Sequence, residues 1–212
     1  MRNGSDGARR ARGRPRQFDE QAALESATQV FWTRGFAAAS LDDLARAMGM
    51  NRPSVANAFG GKEDLYRQTL ARFSAGMRQQ VVDLLSRQSD LRGALTAFYY
   101  RALDVYCAAD PAAGCFVMCT APVEAVERPA VREFLARLIR EIDEILADRF
   151  RRAQEAGDYD PAGDPKAAAR LTQAVLHSLA IRARAGSGKP ALRRMAREAV
   201  ATLVAARPST GS

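Results

Sequence analysis

Three cysteines (Cys107, Cys115 and Cys119) and one histidine (His177) are the side chains of this 212-residue chain best suited to nucleophilic or soft-metal chemistry. Cys115 and Cys119 stand four residues apart, a spacing that puts two side chains on one helical face, and Cys107 lies across the Asp110-Pro111 break. Such a set fits a thiol sensor or a copper(I)-type site, both of which use soft sulfur ligands. It also fits plain packing, because a buried cysteine behaves as a small hydrophobe, and packing is the simpler expectation. A cysteine enzyme would have to work through His177, and no motif orients that ring toward a thiol. The chain is therefore not expected to be an enzyme or to carry a metal or cofactor, and His177 reads as a packed or interfacial histidine.

A second set of residues is polar and cationic. Lys and Arg number 32 against 24 Asp and Glu, a net charge of +8, and nearly all the cations are arginine, whose planar fork suits bidentate phosphate contact. This balance points to a polyanionic partner. Arg12, Arg14 and Arg16 lie directly before the first helical pattern, where a flexible arm can reach a minor groove or a phosphate backbone, a solvated tail being the alternative. Arg52, Ser54 and Asn57 fall on the outward side of a short helix whose Val55 and Phe59 face inward, and all three can bond phosphates or base edges. Lys62 follows Gly60-Gly61 at the start of the next helix, where its charge and the first-turn N–H groups can meet a phosphate. A P-loop is excluded there, since position 56 is alanine and position 63 is glutamate.

The elements that position these groups are all helical. Residues 19–34 place Ala23, Leu24, Ala27, Val30 and Phe31 at helical spacing between an Asp19 cap and Gly35. Ser40-Leu-Asp-Asp43 is a capping box, Gly49 stops the second helix, and Asn51 with Pro53 opens the third. Two short helices joined by a glycine-containing turn have the dimensions of a helix-turn-helix. A longer helix from Lys62 carries Leu70, Phe73, Met77, Val81 and Leu84 on one stripe. Leu91–Ala109 is apolar on two sides, as interior helices are. Helices over about 114–126, 130–156, 165–185 and 189–206 complete the pattern. No segment alternates in the manner of a strand, so the fold class is all-α with about nine helices.

Composition sets the outer limits. With 47% hydrophobic and 26% charged residues the chain is neither disordered nor fibrous. The longest uncharged stretch, Pro111 to Val123, has 13 residues and two prolines, too short for a span of about 20. No membrane association is expected, no secretory signal is visible, and a cytoplasmic location follows as an expectation.

Phe31-Trp-Thr-Arg-Gly-Phe36, Ser40-Leu-Asp-Asp-Leu-Ala-Arg-Ala-Met-Gly49, Asn51-Arg-Pro-Ser-Val55, Phe59 and Lys62-Glu-Asp-Leu65 together resemble the DNA-binding domain of the TetR/AcrR family of bacterial transcriptional regulators. Residues 1–15 read as a basic arm, and the resemblance implies a helix-turn-helix domain over 16–65. Behind them it implies a helical effector-binding and dimerisation domain over 66–207, and residues 208–212 read as a disordered tail. It further implies a homodimeric repressor on double-stranded operator DNA, released by a small molecule. Ser40 and Lys62 would meet phosphate, and Arg52, Pro53, Ser54 and Asn57 would face DNA. The family commonly has a tyrosine where this chain has Ala56, so operator affinity is expected to lean more on the arginine arm. Phe73, Met77, Tyr99, Tyr106, Cys107, Cys115 and Cys119 are the candidates for lining an effector pocket, which favours an uncharged apolar or aromatic compound. Leu171, Val175 and Leu179, with Leu192, Met195 and Leu203, are the candidate dimer interface, because the last two helices carry more apolar surface than one chain covers. The alternative function is a non-allosteric architectural DNA-binding protein, which would leave the long helical region after Lys62 without a role.

Overall fold

The computed structural model describes residues 19–204. Among the described residues there are nine α-helices and no strand. α1 (Glu20–Ala38) begins where the Asp19 carboxylate accepts the Gln21 and Ala22 N–H groups at 3.0 and 3.1 Å. The expected end at Gly35 is instead a kink. Gly35 takes φ 76°, a left-handed conformation open to glycine, and the chain makes one more turn that returns Phe36 to the core.

α2 (Leu41–Ala47) carries the capping box: the Ser40 hydroxyl accepts from the Asp43 N–H at 3.1 Å and the Asp43 carboxylate accepts from the Ser40 N–H. α3 (Arg52–Phe59) is capped by Asn51, whose side-chain oxygen accepts the Ser54 N–H at 2.8 Å. Ala27, Phe31, Leu44, Val55 and Phe59 form the core of these three helices, and Leu65 and Tyr66 join it from the first turns of α4 (Lys62–Arg87). The helix-turn-helix is thus bolted to α4 by buried side chains.

α5 (Leu91–Tyr106), α6 (Phe116–Glu124), α7 (Pro129–Glu155), α8 (Pro165–Arg184) and α9 (Lys189–Val204) build the rest. α7 packs on α8, and α5 on α9 and α8, while α6 is wedged between α1, α7 and α8. α5 is shorter than its apolar pattern suggests. The Gly114 N–H donates to Tyr106 O at 3.1 Å, so the chain folds back at Tyr106, and α6 starts at Phe116. No helix among the described residues is long and apolar enough to cross a membrane.

Candidate functional site

The turn between α2 and α3 sets Arg52, Pro53, Ala56 and Asn57 on one exposed face, with Val55 and Phe59 buried behind it. Ser54 is half-buried, and its N–H serves the Asn51 cap. The Arg52 Nε lies 2.5 Å from an Asp42 carboxylate oxygen on α2, an exposed pair that holds the guanidinium at the rim of the face. Ser40 is exposed, but its hydroxyl donates to Asp43 at 2.7 Å, so contact with a phosphate requires that bond to be exchanged. Arg12, Arg14 and Arg16 lie outside the described residues.

Lys62 is less free than its position beside two glycines suggests. Its Nζ donates to Ala37 O at 3.3 Å and stands 4.4 Å from the centre of the Phe36 ring. The Arg128 guanidinium stacks at 4.3 Å from the same ring centre, and Arg128 pairs with Glu124 at 2.7 Å and with Glu63 at 3.7 Å. Burial is the first cause that pushes the Lys62 ammonium pKa down, opposed by Glu124 and reinforced by Arg128. This knot ties the head to the end of α6. Sequence reasoning missed it because Phe36, Lys62 and Arg128 come from three separate elements, and no local spacing links them.

Behind the head is a cavity of about 470 Å³ between α4, α5, α6, α7 and α8. That volume is within the range of small-molecule sites, about 300–1,000 Å³. Of the residues expected to line it, Phe73, Met77, Tyr106 and Cys115 do. Tyr99, Cys107 and Cys119 do not. Tyr99 points toward α8 and donates to Thr172 O at 3.0 Å. Cys107 is the residue after α5, near the Asp104–Lys189 pair, and the Cys119 Sγ faces Ala180 O on α8 at 4.0 Å. The helical repeat put these residues on an apolar side, but each helix here has two such sides. His177, expected to be packed or interfacial, lines the cavity with Gln173 and Leu176.

Electrostatics in the cavity favour neutral forms. Burial pushes the Cys115 thiol up to about 11 and the Tyr106 phenol well above its usual value, so neither is an anion at neutral pH. Burial also lowers the His177 pKa, with Asp143 opposing. A protonated Cys115, nearly buried in the cavity wall, is a poor nucleophile. Among the described residues no three His, Cys, Asp or Glu side chains are grouped to hold a metal ion.

An unbroken set of ring contacts joins cavity to head. Phe73 meets Trp32 at 5.3 Å and Phe116 at 5.5 Å between ring centres. Phe116 meets Tyr66 at 6.1 Å, and Tyr66 meets Phe31 at 5.0 Å and Phe36 at 5.1 Å. The Tyr66 hydroxyl also lies 2.7 Å from the Thr120 hydroxyl of α6.

On the candidate dimer face, Leu171 is 59% exposed, while Val175, Met195 and Leu203 are half-buried. Leu179 and Leu192 are a correction: they are 0% and 2% exposed and pack inside the protomer. Ile181, 58% exposed, stands on the outside of α8 in their place.

Residues 23–69 match the family described as bacterial regulatory proteins, tetR family, and residues 92–200, just over half the chain, match the tetracyclin repressor-like C-terminal domain. The HTH-type transcriptional repressor ComR of Escherichia coli (strain K12) is 28% identical over 193 residues, which cover 89% of this chain and 90% of that one. A cysteine mutant of the TetR family transcriptional regulator CifR, solved in complex with 26-base-pair double-strand operator DNA, is 30% identical with a TM-score of 0.81, covering 92% of this chain and 100% of that one. The reduced form of E. coli NemR, 19% identical with a TM-score of 0.76 over 90% of this chain and 98% of that one, shares the fold. With both of its halves matched and a 30% identical relative covered end to end, the chain belongs to the TetR family of bacterial regulatory proteins.

Proposed function

We propose that the protein is a homodimeric transcriptional repressor that holds an inverted-repeat operator with its two α3 helices and is released by a small molecule in the interior cavity. The observation that carries this reading is the sharing of α4. Its first turns bury Leu65 and Tyr66 in the head, and its middle turns present Phe73 and Met77 to the cavity. A ligand that prefers one position of α4 then biases the head through the same rigid element. Operator binding by CifR, a relative of nearly the same length, supports the DNA half of the reading. On this reading the head is residues 16–65, the cavity and the dimer face belong to 66–207, and the arm of Arg12, Arg14 and Arg16 adds phosphate contacts. The architectural alternative would have no use for a cavity built onto α4.

The test is to select binding sites from random DNA and measure affinity for selected and scrambled duplexes at about 150 mM salt. The expected result is an inverted repeat whose half-sites are about 34–36 Å apart, bound at least about a thousandfold more tightly than scrambled DNA. Equal affinity for both duplexes would overturn the reading.

A further inference from the structure

Resting on the reading of the cavity as the effector site, we propose that its ligand is an amphipathic monocarboxylate whose apolar body fills the cavity and whose carboxylate meets Arg101 at the mouth. Among the described residues the cavity lining contains no aspartate or glutamate, and its only ionised side chains are Arg72 and Arg101. Arg72 is already neutralised, since its Nη2 lies 2.7 Å from the Glu25 carboxylate of α1. Arg101 has no carboxylate partner among the described residues. It is held instead by a neutral group: its Nε and Nη2 donate to the single Gln80 side-chain oxygen at 3.2 and 3.0 Å. These bonds orient the guanidinium and occupy its Nε–Nη2 edge, leaving the Nη1–Nη2 edge, with the charge uncompensated, to receive a planar anion in fork geometry.

Position tells which end of the ligand goes there. Arg101 is exposed, as are Gly76 and Gln80 across from it on α4, so the cavity opens to solvent between α4 and α5. Deeper in, Phe98, Leu138, Ile142 and Leu176 offer only hydrocarbon. The one ionisable group at the α8 end, His177, has no hydrogen-bond partner among the described residues, and burial holds it in its neutral form, so it does not compete for the anion. A charged head at the wet mouth and an apolar tail inside avoid placing an ion in the dry part of the cavity. The ligand expected from the sequence was uncharged; the proposal departs from that expectation because Arg101 stands beside Gln80, 21 positions away on another helix.

The test uses decanoate, 1-decanol and decyltrimethylammonium, all below their aggregation limits, with the full-length dimer. Binding is read by calorimetry and by release of a fluorescent operator duplex. Decanoate is expected to bind about tenfold more tightly than decanol, the gain of one charge-assisted contact, and the cation is expected not to bind. Arg101→Gln should erase the difference between acid and alcohol, leaving decanol affinity unchanged. Ala102→Trp, which fills the cavity from α5, should abolish both. If decanol matches decanoate in the unmodified protein, or the acid keeps its advantage in Arg101→Gln, the proposal is overturned while the cavity stands as the effector site. If none of the three binds, or binding survives Ala102→Trp, the cavity reading itself fails and the proposal with it.

Discussion

Arg52 and Asn57 differ from Lys62 in what holds them, and the difference sets what each can contribute on DNA. Among the described residues the exposed Asn57 side chain has no partner and Arg52 is tied only to exposed Asp42, a pair of a kind worth about 0–1 kcal/mol. Both can turn to base edges at little cost. Alanine at Asn57 should therefore change operator sequence preference, by about 1–3 kcal/mol for a bidentate contact, and leave the melting temperature unmoved. Lys62 is committed to Ala37 O and the Phe36 ring. Its replacement by alanine should weaken binding to every sequence alike, lower the magnitude of the salt slope by about one, and also cost about 0.5–1 kcal/mol of stability as the cation–π contact is lost. A salt titration with thermal melts separates the two residues; an unchanged melting temperature for the Lys62 variant would refute the second assignment. His177 makes a prediction of opposite kind. Its folded-state pKa is depressed below the usual 6.5, first by burial, so the unfolded chain binds a proton more readily. The stability it confers is present above about pH 6.5 and is lost as pH falls through the lower folded value. Melting curves at pH 7.5 and 5.5 should show a drop in the unmodified protein that shrinks in His177→Gln, and equal drops in both would contradict it.

At the scale of the helix, the sequence signals differ in reach. Helix starts were legible because a cap is a local bond: Asp19, Ser40 and Asn51 each bond an N–H two or three residues on. Which apolar stripe faces what was not legible, because α5 and α8 are apolar on more than one side and the choice depends on neighbours far away in the chain. Thus Tyr99 went to α8 rather than to the cavity, and Leu179 to the protomer core rather than to a partner. The correction changes the dimer test. A charge at Leu179 should unfold the protein, since it would sit buried and unpaired. A charge at Leu171 or Ile181, both exposed, should instead give folded monomers with greatly weakened operator binding. Sedimentation velocity and circular dichroism distinguish these results, and a folded dimer carrying Ile181→Glu and Leu171→Glu together would remove α8 from the interface. The segment before α6 offers a second test. Gly114 takes φ 69°, and a Cβ there would lie 2.5 Å from Ala180 O and 2.8 Å from the Cys119 Sγ. Gly114→Ala must therefore push the 107–115 segment off α8, and its melting temperature should fall by several degrees, consistent with a cost above the about 1–3 kcal/mol of backbone strain alone.

Across the whole molecule, the question is how a ligand behind α4 is felt at α3. Among the described residues, Phe73 is the one aromatic side chain that both lines the cavity and touches Trp32 and Phe116, which lead through Tyr66 to Phe31 and Phe36. Phe36 in turn lies under Lys62 and Arg128. Packed rings repack in discrete steps rather than bending, so this cluster is suited to hold α4 in one of two positions relative to the head. Spatial continuity alone does not measure coupling. A linkage experiment does, and Trp32, the single tryptophan of the chain, reports on it directly. Decanoate should shift Trp32 emission and lower operator affinity by about 5–150-fold, the usual range of an allosteric coupling of about 1–3 kcal/mol. In Phe73→Leu the cavity stays apolar and the operator face untouched, so decanoate and operator should each still bind alone. What should disappear is their mutual effect: the emission shift shrinks and operator affinity becomes the same with and without decanoate. Thermodynamic reciprocity adds a check, since operator must then also cease to weaken decanoate binding by the same factor. Full coupling retained in Phe73→Leu would mean that α4 moves the head through its backbone and the buried Leu65–Tyr66 anchor, with the ring cluster serving only as packing.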